Sequence, residues 1–509
     1  MSAGTRPGAD RSPYHLGERI DQVVAGHARR TPDALALRQG DETVSYGELL
    51  ARARSVAAGL RARGIGPGDF VPVLIERSPE LVAVLLGVLT AGAAYIAMDP
   101  AWPAERTADV VRRSDARLVV VDRPRPEAGA GAGAIVPSEE LRGPEAGSVA
   151  HTDGTAAACV FYTSGSTGRP KGVVSPHRGT IRTLVGCPTI PLDATTVFLQ
   201  AAPLPWDAFA LELWAPLLNG GRCVLLDRGV PALDADGLRR ALAAGVDSMW
   251  LTSSLFTVLL EEAPEEFGRL RLLLVGGERV SVRHAREALT RFPGLRLVNG
   301  YGPAESTIFA TTHAIGPADV AEDSTDIPIG RPVPCTGAVL LGPDGTVLTG
   351  PATGELALSG DGLAAGYLGD AAETARRFVL LDGVRHYRTG DVAGRDADGL
   401  LRHRGRTDRQ VKLRGVRIEP GEVETVLETH PAVTSCLVFL VEPVPGRPEL
   451  AALYTTATGA PVPGPELRRT AAHRLLGAMV PTRLVHTERL PLGPTGKADQ
   501  SAAAAIVLA

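Results

Sequence analysis

The sequence predicts an α/β protein with a large N-terminal core of helix-covered sheets, a β-rich part and a small α+β C-terminal unit. Helical and strand-like patterns alternate from about residue 20, which is typical of sheets covered by helices. From about residue 325 the pattern becomes β-rich. After Arg406 about 100 residues remain, enough for one small domain.

Apolar patterning predicts the N-terminal elements: helices at 47–63 and 79–90, and strands at 70–75, 95–98 and 118–121. The run from Leu81 to Met98 carries no charge and just reaches the length of a membrane-spanning helix. Gly87 and Gly92 interrupt it, however. A buried helix that stops near Gly92, followed by a buried strand, therefore fits better than a membrane span.

Short apolar runs predict the later strands, at 157–162, 222–226, 248–251, 272–275, 337–341 and 354–359 and around Tyr387, with GPDG at 342–345 as a hairpin turn. Residues 123–150, which contain RPRPEAGAGAGA, predict a flexible surface connection. We expect a disordered leader at 1–17, an N-terminal core at 18–407 and a C-terminal subdomain at 408–509.

Composition excludes several classes of protein. Apolar residues make up 44% and charged residues 22% of the chain, so it is not disordered throughout. With a net charge of −4, no basic face for nucleic acid is expected. The five cysteines form no CxxC pair and predict neither a disulfide framework nor a zinc site. The N-terminus lacks an apolar signal region. We expect a soluble cytoplasmic protein.

Lysine is rare: only Lys171, Lys412 and Lys497 stand among 53 basic residues. Each lies in a Gly- or Pro-flanked, loop-like context. Arginine does not replace lysine where a compact ammonium is needed. The three lysines are therefore candidate functional residues, although leftover surface lysines are the alternative.

The strongest local signal is FYTSGSTGRPKGV at 161–173. An apolar strand leads into a loop of hydroxyl residues, glycines and Lys171. Glycines let backbone N–H groups converge on phosphate oxygens, and hydroxyls and a lysine add donors. A Walker A loop does not match, because Gly172 follows Lys171. The sequence predicts a phosphate-binding loop.

Two weaker motifs follow. In NGYGPAES at 299–306, Tyr301 between two glycines on a loop could stack on a flat base, and Glu305 is a candidate Mg²⁺ ligand. In YRTGDVA at 387–393, Asp391 follows a strand and a glycine and could accept two sugar hydroxyls. Each motif alone is more often a turn or a charged surface loop.

Taken in order, these segments resemble the adenylate-forming superfamily, and most closely the amino-acid adenylation domain of nonribosomal peptide synthesis. The similarity covers nearly the whole chain. Its motifs are TVSYGELL (43–50), LTAGAAYIAMDP (89–100), the glycine-rich loop, NGYGPAE, GELALSGDGLAAGYL (354–368), YRTGDV, GRTDRQVKLRGVRIEPGEVE (405–424) and TGKAD (495–499).

The resemblance implies two half-reactions that use ATP and Mg²⁺. A carboxylate first attacks the α-phosphorus of ATP, and a pantetheine thiol then takes the acyl group. It implies nucleotide-binding residues at Thr163, Ser164, Gly165, Ser166, Thr167, Gly168, Lys171, Gly277, Glu278, Asn299, Gly300, Tyr301, Gly302, Asp391 and Arg406. Glu305 would bind Mg²⁺, and Lys497 would bridge the substrate carboxylate and the α-phosphate. Asp408 would be a hinge that brings Lys412 to the thiol channel.

The chain departs from the family pattern at three places. Ala304 stands where the family usually has Thr, so one hydroxyl near the α-phosphate is missing. LLGAMVP at 475–481 matches the expected LPxYMVP only in part, and Thr495 replaces the usual Asn. These departures affect the expected fine geometry rather than the class.

By the same resemblance, Asp207 would bind a substrate ammonium, because a buried carboxylate without a cation is costly. A helix N-cap is the alternative for Asp207. The other pocket positions are Ala208, Leu211, Trp250, Leu274, Gly276, Gly300, Ile308 and Phe309. This set resembles valine-selecting pockets, with isoleucine, leucine, 2-aminobutyrate or another nonproteinogenic or β-amino acid as alternatives.

The expected partners are an amino acid and a separate phosphopantetheinylated carrier protein, because the chain stops twelve residues after Lys497. An MbtH-like helper protein is a further candidate. Two rival functions remain: an acyl-CoA or aryl-acid ligase, which should not need Asp207, and a non-catalytic nucleotide-binding module.

Overall fold

The computed structural model describes residues 17–123, 125, 133–144, 152–163, 170–230, 232–444, 447–491 and 499–509. The described residues form two compact units. The first contains those up to Pro100, those of 111–162 and those of 172–407. The second contains those of 408–509 together with Ala101–Val110, Thr163, Pro170 and Lys171. The predicted leader lies, except for Gly17, outside the described residues.

Helices form where apolar residues recur at helical spacing, and capping side chains begin several of them; Ser45 caps α2, for example. The helices are α1 Ile20–Arg30, α2 Tyr46–Ala62, α3 Pro79–Ala91, α4 Ala104–Arg113, α5 His177–Leu184, α6 Asp207–Leu217, α7 Ala235–Ala243, α8 Ser253–Glu262, α9 Val282–Arg291, α10 Ala371–Arg377, α11 Pro420–Leu427, α12 Gly464–Ala472 and α13 Gln500–Leu508.

The strands are short and mostly apolar. They are β1 Leu35–Gln39, β2 Glu42–Ser45, β3 Phe70–Leu74, β4 Ala94–Ala97, β5 Val119–Val121, β6 Ile135–Pro137, β7 Ala157–Thr163, β8 Lys171–Pro176, β9 Val197–Gln200, β10 Arg222–Leu225, β11 Ser248–Thr252, β12 Leu272–Gly276, β13 Arg296–Tyr301, β14 Thr311–Ala314, β15 Arg331–Pro332, β16 Thr336–Leu341, β17 Val347–Leu348, β18 Ala352–Gly360, β19 Gly366–Tyr367, β20 Phe378–Leu381, β21 Val384–Arg395, β22 Leu401–Arg406, β23 Val411–Leu413, β24 Val416–Ile418, β25 Val433–Val444, β26 Arg447–Thr456 and β27 Arg483–His486.

Three sheets build the first unit. Nine strands run in the order β15-β14-β13-β12-β11-β9-β10-β1-β2, and seven in the order β19-β8-β7-β4-β3-β5-β6. The third sheet, β17-β16-β18-β21-β20 with β22 beside β21, is antiparallel. In the second unit, β23 pairs with β24, and β25, β26 and β27 form a small sheet. This architecture confirms the predicted α/β fold class.

The nine-stranded sheet carries a separate core on each face. Trp250 and Leu274 belong to the core that includes α6, whereas Leu251 and Leu273 belong to the core that includes Phe256 of α8. Alternation of side chains along a strand produces this division. The face that carries Trp250 is therefore set by the register of β11.

Most predicted elements form within two residues of their expected ends. Helix α3 stops at Gly92, whose φ of 90° gives the left-handed cap that a glycine tolerates. No described helix combines the length and apolar character needed to cross a bilayer. The five cysteines are free.

Four expectations were wrong. Residues 123–150 were expected to be a flexible surface connection, yet in the described part of this range β6 forms and pairs with β5, and Val136 and Leu141 are buried. Tyr301 ends strand β13 instead of lying on a loop, and Asp391 lies within β21. Lys171 is 6% exposed and begins β8. In each case pairing with a neighbouring strand overrides the turn signal of the adjacent glycines.

His177 joins the start of α5 to the N-terminal helix. Its ring is 1% exposed, and its Nδ1 accepts a hydrogen bond from the Ile20 backbone N–H at 3.2 Å. Burial, assisted by the charge of Arg19, lowers the pKa of His177 to about 3. The folded protein therefore keeps this imidazole neutral.

This neutral histidine should make stability depend on pH. Below about pH 6.5 the unfolded chain binds a proton that the folded chain refuses, so the free energy of unfolding falls as the pH drops towards 3. We expect a loss of about 1.4 kcal/mol per pH unit from this group. Urea unfolding at several pH values should show a shallower decline for His177→Gln. The exposed His473→Gln should retain the wild-type slope, and equal slopes for all three proteins would contradict the assignment.

Candidate active site

The site begins at the carboxyl ends of three parallel strands. Thr252 of β11, Gly276 of β12 and Gly300 of β13 stand in register. Two residues earlier, on the same face of the sheet, Trp250 is paired with Leu274 and Leu274 with Val298. Open α/β sheets bind ligands at this edge.

Three glycines leave no room for side chains here. A Cβ on Gly276 would lie 2.3 Å from the Gly300 carbonyl oxygen, and one on Gly300 would lie 2.3 Å from the Phe309 ring. A Cβ on Gly302 would lie 2.0 Å from the Ile308 carbonyl oxygen. The segment after β13 therefore folds back directly onto the strand ends.

Six of the predicted pocket residues are buried in the same large hydrophobic core. One buried apolar cluster contains Ala208, Leu211, Trp250, Leu274, Ile308 and Phe309. Asp207 is the first residue of α6, where the helix dipole favours a carboxylate. The N-cap position belongs to Trp206, and its side chain makes no cap hydrogen bond. The N-cap alternative for Asp207 is therefore wrong.

A second group of predicted residues meets around Asp391. Its Oδ2 accepts a hydrogen bond from the Tyr301 hydroxyl at 2.6 Å, and Oδ1 accepts one from Arg406. Burial, together with the Asp391 charge, raises the pKa of Tyr301 well above its usual value, so the phenol stays protonated. His403 also contacts Asp391, with 3.2 Å between Nε2 and Oδ1.

Glu305 and Asn299 flank Tyr301 and are both buried. The Tyr367 hydroxyl donates to Glu305 Oε1 at 2.7 Å, and the Asn299 amide donates to the Pro328 carbonyl oxygen at 2.7 Å. Within the part of the chain that the structure describes, three or more acidic, His or Cys side chains never gather as a metal site. Glu305 is the carboxylate that the sequence proposes as a Mg²⁺ ligand.

The remaining predicted residues lie elsewhere. Gly277, with φ of 83°, follows β12, and the Ser254 hydroxyl donates to the next residue, Glu278. The second unit contains Thr163, Lys171, Asp408 and Lys412, the last of these on β23. Ser164, Gly165, Ser166, Thr167, Gly168 and Lys497 fall outside the described residues.

Sequence reasoning missed a set of polar side chains that binds the backbone leading into α6. Glu212 accepts backbone N–H groups of Ala201 at 2.8 Å and Ala202 at 2.6 Å. Arg77 donates to the Gln200 side chain and to the carbonyl oxygens of both alanines. Burial raises the pKa of Glu212 to about 8. A charged residue within the apolar run AFALELWA was the available signal.

Sequence reasoning also missed His403 and Arg182. The imidazole of His403 lies 6.4 Å from the Tyr301 ring, centroid to centroid. Arg182 of α5 is fully buried and donates to backbone carbonyls beside Ile308. Neither residue stands in a motif that marks a site, so no local signal could have found them.

Comparison with known proteins identifies the family. A family model described as AMP-binding enzyme matches residues 24–368. The chain belongs to this family. Tyrocidine synthase 3 of Brevibacillus parabrevis is 36% identical over 492 residues, 95% of this chain and 7% of that protein. Gramicidin S synthase 2 of Aneurinibacillus migulanus is 34% identical over 502 residues, 97% of this chain and 11% of that protein.

Solved structures agree with this assignment. Holo-PA1221, a nonribosomal peptide synthetase (NRPS) protein with adenylation and PCP domains, has a TM-score of 0.87 and 36% identity, covering 97% of this chain and 85% of that chain. NpsA of Klebsiella oxytoca has a TM-score of 0.71 and 26% identity, covering 97% and 100%. The expected enzyme class, an ATP-consuming adenylate-forming ligase of the NRPS adenylation type, is confirmed. The chain spans only 7% and 11% of the two synthases.

The close approach at Gly300 gives a test of the pocket wall. Gly300→Ala should push the Phe309 ring away from β13 and raise the KM for the acid substrate about tenfold or more, since overpacking costs ~1–3 kcal/mol. ATP–pyrophosphate exchange measures this constant. Gly294→Ala is a matched control, because nothing lies within 4 Å of its added Cβ. An unchanged KM in Gly300→Ala would show that Phe309 does not line the pocket.

Proposed function

We propose that this chain activates a small aliphatic amino acid and passes it to a carrier protein. A carboxylate oxygen of the amino acid attacks the α-phosphorus of ATP, and the bond to the β-phosphate oxygen breaks. Aminoacyl-AMP forms and pyrophosphate leaves. A phosphopantetheine thiol then attacks the acyl carbon and releases AMP.

The observation that carries this proposal is the position of Asp207 beside an apolar cluster. The carboxylate begins α6, one residue before the buried Ala208, and Leu211 follows one turn later. The amino group of the substrate would pair with Asp207, and an aliphatic side chain would contact Trp250. Valine fits this set, with isoleucine, leucine, 2-aminobutyrate and other nonproteinogenic or β-amino acids as alternatives.

The Asp391 cluster would bind the nucleoside. Tyr301 would stack on adenine, with Asn299 at its amino edge, and the ribose hydroxyls would go to Asp391 and Arg406. Because Asp391 already accepts hydrogen bonds from Tyr301, His403 and Arg406, a ribose would compete with these donors. Bound Mg²⁺ at Glu305 would neutralise phosphate charge.

We assign the remaining roles from the family resemblance. Thr163–Gly168 and Lys171 would hold the β- and γ-phosphates. Lys497 would bridge the substrate carboxylate and the α-phosphate, and Asp408 would act as the hinge that exchanges Lys497 for Lys412. The carrier protein is the second partner, and an MbtH-like helper is a third candidate.

Lys497 provides the first test of this mechanism. A fixed positive charge beside a developing anion is worth about 10²–10³ in rate, so Lys497→Ala should reduce adenylation by that factor. Transfer from supplied aminoacyl-adenylate should fall far less. Pyrophosphate exchange and thioester formation measure the two steps separately. Near-normal exchange in the variant would remove Lys497 from the mechanism.

Asp207 discriminates an amino acid from a simple acid. Asp207→Ala should weaken valine activation by about 3–5 kcal/mol, because the ligand ammonium loses its partner. Activation of 3-methylbutanoate, which has valine's skeleton without the amine, should change much less. Pyrophosphate exchange with both acids measures the difference. If the variant lost activity with both acids in equal proportion, Asp207 would not be the residue that binds the substrate ammonium.

A panel of amino, aryl and acyl acids in the same exchange assay tests the function as a whole. We expect exchange with small aliphatic amino acids. Exchange only with aryl or acyl acids would favour a CoA-ligase function, and no exchange with any acid would favour a non-catalytic module.

A further inference from the structure

A buried arginine holds the wall of the proposed amino-acid pocket. The side chain of Arg182, from the middle of α5, is 0% exposed. It donates to the carbonyl oxygen of Ser306, to the Phe309 carbonyl oxygen at 3.1 Å and to the Thr336 hydroxyl at 2.8 Å. A single guanidinium thus holds both ends of the segment from Ser306 to Phe309.

The segment between those two carbonyls is strained. Thr307 and Ile308 have φ values of 47° and 68°, in the left-handed region that disfavours β-branched residues. Such conformations are unfavourable for these residues and persist only where their surroundings enforce them. Ile308 and Phe309 are pocket residues, so the strain shapes the pocket wall.

Glycines beside the Ser306–Phe309 segment leave space for the Arg182 side chain and for Thr307. A Cβ on Gly362 would lie 1.8 Å from a guanidinium nitrogen of Arg182. A Cβ on Gly179, one turn earlier in α5, would lie 2.7 Å from the Thr307 hydroxyl oxygen. That hydroxyl donates to the Gly362 carbonyl oxygen at 2.8 Å. Two glycines therefore make room for the arginine and for the residue it constrains.

We propose that Arg182 is a positioning residue for amino-acid selectivity: it fixes the strained Ser306–Phe309 segment and thereby places Ile308 and Phe309 against the substrate side chain. This rests on the proposed function for the identity of the substrate. Tyr301 and Asp391, the residues proposed to bind adenine and ribose, are held by hydrogen bonds to residues other than Arg182. Arg182 therefore acts on amino-acid binding more than on nucleotide binding.

The kinetic test separates the two substrates. For Arg182→Ala we expect the KM for valine to rise at least tenfold, because the buried carbonyl oxygens of Ser306 and Phe309 lose their donor. The preference for valine over isoleucine and 2-aminobutyrate should fall, and the KM for ATP should change less than about twofold. Millimolar ethylguanidinium should partly restore the valine KM. Unchanged selectivity in a folded variant would overturn the proposal.

Two further variants keep the test decisive if Arg182→Ala does not fold. Gly362→Ala adds a methyl group against the guanidinium without removing the charge, and it should shift valine selectivity in the same direction. Arg178→Ala is the matched control one turn away, because Arg178 pairs with Asp361 at 3.3 Å rather than with the segment. A selectivity change in Arg178→Ala as large as in Gly362→Ala would overturn the assignment.

A measurement on the protein without substrate can test the role of Arg182 independently of the proposed function. The backbone N–H groups of Ser306, Thr307 and Ala310 donate to Pro303, Ala304 and Tyr301. Hydrogen exchange of peptides covering 304–310 should accelerate in Gly362→Ala or Arg182→Ala, but not in Arg178→Ala. Unchanged hydrogen exchange in these peptides would contradict the proposal that Arg182 holds the segment. An absence of pyrophosphate exchange in the wild type with every amino acid would instead overturn the proposed function.

Discussion

Backbone contact at the carboxyl edge of the nine-stranded sheet is the constraint on which the site depends. Gly276, Gly300 and Gly302 leave no space for a Cβ, because a carbonyl oxygen or the Phe309 ring occupies that position. The chain after β13 can therefore return onto the strand end, where the Phe309 ring packs against Gly300 and the Ile308 carbonyl oxygen against Gly302. A side chain at any of these glycines would push the neighbouring backbone or the Phe309 ring away from the strand ends.

Ionisable side chains in the first unit hold segments of backbone. Glu212 and Arg77 together bind the Gln200–Ala202 stretch that leads into α6, and Arg182 binds the stretch after Glu305. The guanidinium groups of Arg77 and Arg182 form charge-assisted hydrogen bonds to these carbonyl oxygens, which are stronger than bonds between neutral groups. The stretch that leads into α6 and the segment that carries Ile308 are thus both held by hydrogen bonds from ionisable side chains.

The sequence sufficed for the fold class and for most element positions, because apolar periodicity and ordered motifs are local signals. It placed Gly92 at a helix end and Trp250 on a strand. It failed where long-range pairing decides: β6 forms within a Gly-rich stretch because β5 lies beside it, and Lys171 is buried in a strand. Arg182 could not be found either, because its partners lie more than 120 residues away.

The hydrogen bonds around Asp391 bear on how the proposed nucleoside site would bind its ligand. An isolated carboxylate at 7% exposure would be costly, yet Tyr301, His403 and Arg406 donate to it. A ribose diol presents the same kind of donor, so exchange of one protein donor for a ligand hydroxyl conserves the number of hydrogen bonds at Asp391. Nucleoside affinity would then come mainly from the base stacked on Tyr301 and from the phosphates. The ribose contact would instead fix the orientation in which the α-phosphorus meets the carboxylate.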